Sequence, residues 1–271
     1  MKENALTIGD REIPFFSEKD PTHLPWGKME VDVVIESTGV FTKEEEAQKH
    51  LEAGAKAVVI SGPTKSPGVP TIVHGVNAKD GPTTIISCAS CTTNSISPIV
   101  EILGRRIGIK KAIMTTVHAD TASNSIVDSP SGKNFRMGRT GLNNLIPTTT
   151  GAAIATTQAL PEYQGKFDGM AIRVPVAVGS VSDVTLVTER STSVEEVNEV
   201  FEHEAGTDRY QGVLGVTHDP IVSTDIIQSA YASLVDLSMT KVVDGDLVKV
   251  LAWYDNEWGF ANQMIREIIA M

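Results

Sequence analysis

One stretch of the chain decides its fold: Thr83-Thr84-Ile85-Ile86-Ser87-Cys88-Ala89-Ser90-Cys91-Thr92-Thr93-Asn94. The β-branched run at its start predicts a strand, and the spacing of the apolar residues Ile96, Ile99 and Leu103 after it predicts a helix. Cys91 then lies at a strand-to-helix turn, where unpaired backbone N–H groups and the helix dipole stabilise a thiolate. We therefore expect a lowered pKa at the Cys91 thiol and a role as nucleophile.

A candidate base for this nucleophile lies further along the chain. His118 ends the apolar run Ala112-Ile113-Met114-Thr115-Thr116-Val117, which predicts a strand. A neighbouring imidazole activates a thiol, so we interpret Cys91 and His118 as a catalytic pair. Two residues alone leave a second interpretation open, because single cysteines and histidines are also ordinary core residues.

The composition limits the classes of function. The chain has 271 residues, 41% hydrophobic and 21% charged, which is usual for globular domains. Its formal net charge of −11 and its lack of a Lys/Arg run argue against nucleic-acid binding. We find neither an apolar stretch long enough to span a membrane nor a signal-peptide pattern, so we expect a cytoplasmic protein.

The two cysteines, Cys88 and Cys91, form a Cys-x-x-Cys pair. Zinc would need two more ligands at suitable spacing, and the six histidines are isolated, so we expect no metal site. A disulfide between the pair under oxidative stress stays an open hypothesis.

The first third of the chain has the pattern of a parallel α/β sheet. Strands are predicted at residues 31–37, 57–60 and 83–87, with a helix opened by the capping box Thr42-Lys43-Glu44-Glu45 and ended by Gly54. Two polar turns follow predicted strands: Ser37-Thr38-Gly39 and Ser61-Gly62-Pro63. Both should lie at the carboxyl edge of the sheet, where ligands bind in such folds.

The pattern changes after Thr92. Period-two alternation at residues 170–178, 181–188 and 247–253 predicts a mainly antiparallel sheet, with a hairpin turn at Asp244-Gly245. Helices are predicted at residues 149–160, from Ser193 to about residue 205, and at 259–271. The fold class expected is a partial Rossmann-type parallel sheet followed by a domain with a mainly antiparallel sheet.

Seven motifs occur along the chain: Leu24-Pro25-Trp26-Gly27, Glu36-Ser37-Thr38-Gly39, Ser90-Cys91-Thr92-Thr93-Asn94, Thr116-Val117-His118, Ile146-Pro147-Thr148-Thr149-Thr150-Gly151, Arg173-Val174-Pro175 and Trp253-Tyr254-Asp255-Asn256-Glu257-Trp258-Gly259. Together, and in this order, they resemble the phosphorylating glyceraldehyde-3-phosphate dehydrogenases. The resemblance implies three parts: a partial NAD-binding domain at residues 1–91, a catalytic domain at 92–255, and a helix at 256–271 that packs back on the first.

The resemblance also implies an incomplete front end. No Gly-x-Gly-x-x-Gly occurs in the 271 residues, although a dinucleotide-binding half normally opens with one. Relative to the family, the chain begins after the first two or three strands. We therefore expect the pyrophosphate loop and the acid that contacts the adenosine ribose to be missing.

Residue roles follow from the resemblance. Cys91 is implied as the nucleophile and His118 as its base. Thr121 and Arg173 match the family's site for the substrate phosphate. The site for the attacking inorganic phosphate is matched by Ser90, Thr92, Thr150 and Gly151. Asn256, with Tyr254 nearby, matches the residue that orients the nicotinamide carboxamide, and Ser37, Thr38, Gly39 and Ser61 match remaining parts of the cofactor wall.

The chain departs from the family pattern at four positions. Cys88 stands where Asn is usual, Ser95 where a second Cys is frequent, Asp120 where an aromatic residue is usual, and Met137 where some members have Arg. Asp120 adds negative charge beside an anion site, which would weaken substrate binding or raise the pKa of His118. Arg136 and Arg139 belong to a loop that packs at a subunit interface in the family.

The function implied is oxidation of glyceraldehyde 3-phosphate to 1,3-bisphosphoglycerate with NAD or NADP and inorganic phosphate, through a thioester on Cys91, in a homotetramer. Two alternatives stay open. One is a chain without competent NAD binding, inactive or with another role; the other is an erythrose-4-phosphate dehydrogenase.

Overall fold

The computed structural model describes residues 5–78, 81, 83–131 and 135–271. A hairpin of β1 (Ala5–Ile8) and β2 (Arg11–Pro14) precedes a small parallel sheet. That sheet has the order β3 (Val33–Glu36), β4 (Ala57–Ile60) and β5 (Ile85–Ser87), with α1 (Glu44–Glu52) between the first two strands. The predicted α/β half is confirmed, with β3 shorter than expected.

Helix α1 starts one residue later than its predicted capping box. The N-cap is Lys43, whose backbone N–H donates to the Glu46 carboxylate at 3.1 Å, and not Thr42. The end is as predicted, because Gly54 follows the helix with a φ of +104°. A Cβ at Gly54 would lie 2.5 Å from the Gly27 Cα, so both the conformation and the space require glycine.

The second half builds a seven-stranded mixed sheet with the order β10-β11-β12-β9-β6-β8-β7. Its strands are β6 (Ile109–Ala119), β7 (Ile146–Thr149), β8 (Phe167–Val174), β9 (Ser180–Thr188), β10 (Leu214–Thr217), β11 (Ser233–Val243) and β12 (Leu247–Tyr254). Four neighbouring pairs are antiparallel, while β6–β8 and β10–β11 are parallel. The prediction of a mainly antiparallel sheet is therefore confirmed.

Helices cover the two sheets. Helix α2 (Cys91–Arg106) follows β5 directly, α3 (Ala152–Ala159) and α4 (Val194–Ala205) pack on it, and α5 (Trp258–Ala270) ends the chain. The main core joins α2 to the large sheet through Ile96, Ile99, Leu103, Val184 and Val250. Met264 of α5 packs with Val59, Ile86 and Cys88 of the small sheet.

Two local predictions differ in outcome. The Asp244-Gly245 turn does join β11 and β12, and both residues have positive φ, as a tight hairpin requires. The helix expected from Thr149 begins only at Ala152, because Thr149 is the last residue of the unpredicted strand β7.

Candidate active site

The site is built around the first turn of α2. Ser90 is the N-cap, and its hydroxyl accepts a hydrogen bond from the Thr93 backbone N–H at 3.1 Å. Cys91 is the first helical residue, so its own backbone N–H has no partner within the helix. Ala89 holds the turn with a φ of +58°, and its N–H donates to the Ser87 hydroxyl. The strand-to-helix turn predicted for Cys91 is confirmed.

The pairing of β6 with its neighbours brings His118 to this turn. His118 is 4% exposed, and its Nε2 lies 3.4 Å from the Cys91 Sγ. That distance is within hydrogen-bond reach for a sulfur atom, although the two residues are 27 positions apart. The structure thus places the predicted nucleophile and its predicted base in contact.

Arg173 lies against the other side of the imidazole. The parallel register of β6 and β8 sets His118 opposite Arg173. The Arg173 Nη1 is 2.6 Å from the His118 Nδ1 and 3.1 Å from the Ala119 carbonyl oxygen. The same Nδ1 is 2.7 Å from the Ala119 carbonyl oxygen. The guanidinium therefore touches the His118 imidazole directly.

The electrostatics of the pair differ from the prediction for Cys91. Burial raises the pKa of the Cys91 thiol, and this outweighs the hydrogen bonds from Thr92 and the charge of Arg173, which act in the opposite direction. Burial, together with the charge of Arg173, lowers the pKa of His118 to about 4. The direction for the Cys91 thiol is therefore the opposite of the expected one, and the expectation of a lowered Cys91 pKa was wrong.

A cavity of about 210 Å³ opens on this pair. It brings together seven of the predicted site residues: Ser90, Cys91, Thr92, His118, Thr150, Gly151 and Arg173. Hydroxyls and one guanidinium beside a helix N-terminus are groups that bind a phosphate. Thr116 and Thr149 also line the cavity and were missed; Thr116 lies two residues before His118, on the same face of its strand.

Tyr254 packs next to His118 and links α2 to β6 through its hydroxyl. Its hydroxyl is 2.9 Å from the Thr92 Oγ1 at the start of α2 and 2.7 Å from the Thr116 Oγ1 on β6. Its ring meets the His118 imidazole edge to face, with centroids 6.0 Å apart. Burial raises the pKa of Tyr254, so the phenol is neutral.

Asn256 follows β12 and is held in one orientation. Its Oδ1 accepts from the Gly179 backbone N–H at 3.2 Å and from the Ser180 hydroxyl at 3.1 Å. Within the described residues its Nδ2 has no hydrogen-bond partner. The amide thus presents a fixed donor.

Besides Tyr254 and Asn256, five predicted site residues do not line this cavity. Ser37, Thr38 and Gly39 follow β3, and Ser61 follows β4, at the carboxyl edge of the small sheet. Thr121 lies in the segment after β6, where its hydroxyl meets that of Ser123 at 2.8 Å.

The Thr38 turn is organised from within the small sheet. The buried Glu36 carboxylate accepts from both the backbone N–H and the hydroxyl of Thr38. It also accepts from the His50 Nε2 at 3.0 Å, because the His50 Nδ1 is occupied as an acceptor by the Trp26 indole N–H at 3.1 Å. The Thr38 hydroxyl is therefore engaged in a hydrogen bond within its own turn.

Positions that depart from the family pattern have distinct surroundings. Cys88 is buried under α5, and burial raises its pKa to about 12. Ser95 faces Ser182, with hydroxyls 3.3 Å apart. The Asp120 carboxylate packs against Gly141, and its Oδ1 has no hydrogen-bond partner among the described residues.

The loop after β6 keeps its two arginines apart. Arg139 pairs with Asp128 at 3.0 Å. Arg136 lines a separate cavity with Phe135 and Met170.

The described residues contain no group of three or more His, Cys, Asp or Glu side chains that could hold a metal ion. In the same residues, no helix combines the length and the apolarity needed to cross a bilayer.

Two parts of the chain match models of one known protein family. Residues 90–256 match the family described as glyceraldehyde 3-phosphate dehydrogenase, C-terminal domain, and residues 1–44 match the NAD binding domain of the same family. The chain belongs to the glyceraldehyde-3-phosphate dehydrogenase family.

Relatives in this family are similar along nearly the whole chain. The glyceraldehyde-3-phosphate dehydrogenase of Haloarcula vallismortis is 48% identical over 270 residues, 98% of this chain and 79% of the relative. That of Streptomyces coelicolor is 46% identical over 97% of this chain and 79% of the relative. Glyceraldehyde-3-phosphate dehydrogenase 1 of Kluyveromyces lactis is 45% identical over 97% of this chain and 79% of the relative. Each of these relatives is longer than this chain.

Proposed function

We propose that this chain catalyses the oxidative phosphorylation of glyceraldehyde 3-phosphate to 1,3-bisphosphoglycerate. The observation that carries the proposal is the 3.4 Å contact between the Cys91 Sγ and the His118 Nε2, in a cavity that also contains Arg173 and the Thr150 hydroxyl. A thiol, a base and an anion site within one cavity of about 210 Å³ suit a small phosphorylated aldehyde.

The first step forms a bond between the Cys91 Sγ and the aldehyde carbon. His118 takes the thiol proton at Nε2, which the low pKa of the ring keeps available as a lone pair at neutral pH. The negative charge that develops on the aldehyde oxygen is stabilised by the backbone N–H of Cys91 at the start of α2. His118 then returns the proton to this oxygen, so the product of the step is a hemithioacetal on Cys91 and the ring is neutral again.

Oxidation converts the hemithioacetal to a thioester. His118 accepts the hydroxyl proton as the carbon loses its hydride. An oxygen of inorganic phosphate then attacks the thioester carbon and displaces the Cys91 thiolate. We assign Ser90, Thr92, Thr150 and Gly151, which line the cavity, to this phosphate. We assign Arg173 of the same cavity, with Thr121 in the segment after β6, to the phosphate of the substrate.

The cofactor implied is NAD or NADP, which supplies the hydride acceptor when bound. The free Nδ2 of Asn256 fits a carboxamide oxygen as acceptor, since Gly179 and Ser180 fix the amide. Ser37, Thr38, Gly39 and Ser61 lie at the sheet edge where nucleotides bind in such folds, and Tyr254 supports the site from below. We also propose a homo-oligomer, a tetramer as in the family, located in the cytoplasm.

An enzyme assay of the purified chain tests the proposed reaction. The purified chain is given glyceraldehyde 3-phosphate, inorganic phosphate and either NAD or NADP, and the reduced cofactor is followed by absorbance. Phosphate-dependent reduction that disappears in Cys91→Ser supports the proposal. Faster turnover of erythrose 4-phosphate would favour the sister activity. No turnover, combined with rapid alkylation of Cys91 and no NAD binding by calorimetry, would show a reactive thiol without competent cofactor binding.

A further inference from the structure

A chain of hydrogen bonds runs through the small parallel sheet, outside the cavity that contains Cys91. The Trp26 indole N–H donates to the His50 Nδ1 at 3.1 Å, and the His50 Nε2 lies 3.0 Å from the Glu36 carboxylate. The same carboxylate accepts from the Thr38 backbone N–H at 2.8 Å and from the Thr38 hydroxyl. His50 is 5% exposed and Glu36 3% exposed, and the proposed reaction uses neither side chain.

The two hydrogen-bond partners of His50 require the same tautomer. An indole N–H can only donate and a carboxylate can only accept, so Nδ1 carries the lone pair and Nε2 carries the proton. In the other tautomer both contacts fail at once, because Nδ1–H faces a donor and Nε2 turns a lone pair to the carboxylate. The Phe41 ring, nearly perpendicular to the imidazole at 6.3 Å, brings no hydrogen-bonding group. His50 is therefore held as a donor to Glu36.

Glu36 is the last residue of β3 and contacts both polar turns at the carboxyl edge of the small sheet. Its carboxylate holds the Thr38 turn, and its backbone carbonyl oxygen accepts from the Ser61 N–H at 3.0 Å. The Thr38 hydroxyl gives its one proton to the carboxylate and accepts from the Val40 N–H at 3.1 Å. Gly39 has a φ of +72°, and within the described residues its backbone N–H has no hydrogen-bond partner. The conformation of the turn therefore decides where this free donor points.

The two oxygens of the Glu36 carboxylate have different partners. Both bonds from Thr38 reach Oε1, whereas His50 bonds to Oε2. Among the described residues, His50 is the hydrogen-bond partner of Oε2. Without its N–H a buried carboxylate oxygen is left unpaired, which is costly, and rotation of the carboxylate toward water would take Oε1 away from Thr38.

We propose that His50 is a positioning residue for the nicotinamide cofactor: its Nε2–H fixes the Glu36 carboxylate, and the carboxylate fixes the Thr38-Gly39 turn in the conformation that receives the nucleotide. Both side chains are buried, so they act through the turn and not by touching the cofactor. The inference rests on the proposed function, because the turn needs this conformation only if a nucleotide binds at the sheet edge.

Two substitutions of His50 separate the roles of its two nitrogens. His50→Gln places an amide N–H near the Nε2 position and keeps a donor for Glu36, whereas His50→Asn reaches only the Nδ1 position and keeps an acceptor for Trp26. Isothermal titration calorimetry with NAD measures the affinity of each full-length variant. We expect a Kd within about threefold of the unaltered chain for His50→Gln. For His50→Asn the Kd should rise at least about tenfold, since a hydrogen bond to a charged group is lost.

Amide hydrogen exchange followed by NMR examines the turn without any cofactor. The Thr38 N–H should exchange at least about tenfold faster in His50→Asn and within about threefold of the unaltered rate in His50→Gln. Amides of β4 report opening of the whole sheet, so the Thr38 rate is compared with theirs. His218→Asn is the matched control, because His218 bonds to Glu202 on the surface, and it should match the unaltered chain in both measurements.

Equal effects of the two His50 variants, both large or both absent, would overturn the inference, because a merely structural role does not distinguish the two ring nitrogens in this way. So would a proton on Nδ1 of His50 in ¹⁵N spectra of the unaltered chain, a result that needs no folded variant. Exchange rates that differ between the variants while their NAD affinities agree would also overturn it. An unaltered chain that binds no NAD would contradict the proposed function, and the Thr38 exchange rates would still decide whether His50 holds the turn.

Discussion

At the residue scale, the two cysteines differ sharply in their surroundings, although only two residues separate them. Cys91 faces His118 in the cavity, while Cys88 is buried among Val59, Ile86 and Met264. We predict that Cys91→Ser lowers kcat more than about a thousand-fold, because a serine hydroxyl is a much poorer nucleophile than a cysteine thiol. Cys88→Ser should keep most activity and lose about 1–2 kcal/mol of unfolding free energy for its buried hydroxyl.

Activity assays and urea unfolding of the two variants check this prediction. Equal loss of activity in both would indicate a dithiol mechanism and contradict the assignment of Cys91 as the sole nucleophile.

His118 makes the stability of the protein depend on pH. Its pKa falls from 6.5 in the unfolded chain to about 4 in the folded one, mainly through burial and then through Arg173. The unfolded state therefore binds the extra proton first, and stability falls as the pH drops from about 6.5 to about 4, by about 3 kcal/mol in all. Above about pH 6.5 the effect vanishes, since the ring is neutral in both states.

We predict that His118→Asn removes this part of the pH dependence. Free energies of unfolding in urea, measured from about pH 7 down to about pH 4, should fall less steeply in the variant than in the unaltered chain. Parallel curves for the two proteins would show that the buried ring does not have a lowered pKa.

The contact between Cys91 and His118 was predictable at the residue scale, but the directions of their pKa shifts were not. Cys91 follows from a local strand-to-helix pattern, and His118 from a strand and a family motif. The contact of Arg173 with the His118 Nδ1 depends on the register of β6 against β8, whose paired residues are 55 positions apart. The raised pKa of Cys91 depends on how completely the fold buries it, which no local pattern gives.

At the element scale, the phenol of Tyr254 sets the distance between α2 and β6. It bridges Thr92 and Thr116, and these elements carry Cys91 and His118 respectively. We predict that Tyr254→Phe costs about 1–3 kcal/mol of unfolding free energy, because two buried hydroxyls lose a partner. It should also lower kcat roughly tenfold or more with little change in KM, since the variant misplaces the pair without altering the anion site.

Tyr231→Phe provides the control, because Tyr231 is exposed and should tolerate the loss of its hydroxyl. Steady-state kinetics measure kcat and KM for both variants, and urea unfolding measures their free energies of unfolding. A rise in KM with unchanged kcat in Tyr254→Phe would show instead that the phenol serves substrate binding.

Elements with a strong local signal were predicted well. Ser193 does cap α4, its hydroxyl accepting from the Glu196 N–H, and Asp244-Gly245 does turn the chain between two strands. Strand β7 was missed, because Ile146-Pro147-Thr148-Thr149 is short and contains a proline, which is tolerated at the edge of the sheet. The parallel pairing of β6 with β8 joins distant segments and leaves no trace in either strand alone.

At the scale of the whole molecule, the described residues 120–131 and 135–145, between β6 and β7, combine backbone hydrogen bonds with exposed apolar side chains. Backbone hydrogen bonds join Ser129 to Gly138 and Gly141 to Ser125. Its outward apolar residues are Ile126, Val127, Phe135, Leu142 and Leu145, which we call the loop surface. Several exposed apolar side chains within one segment favour a subunit contact there.

We predict that the loop surface holds the proposed oligomer together. Phe135 is 95% exposed and Leu145 71% exposed, so changing either to aspartate removes no intramolecular core contact. Phe135→Asp or Leu145→Asp should weaken self-association roughly 30-fold or more, because a buried charge replaces an apolar anchor at the interface. Ile269→Asp on α5 is the matched control, since Ile269 is equally apolar and 79% exposed but lies outside the loop surface. Sedimentation velocity across a concentration series measures the association. Dissociation in Ile269→Asp with intact oligomers in the other two would place the interface on the other side of the molecule.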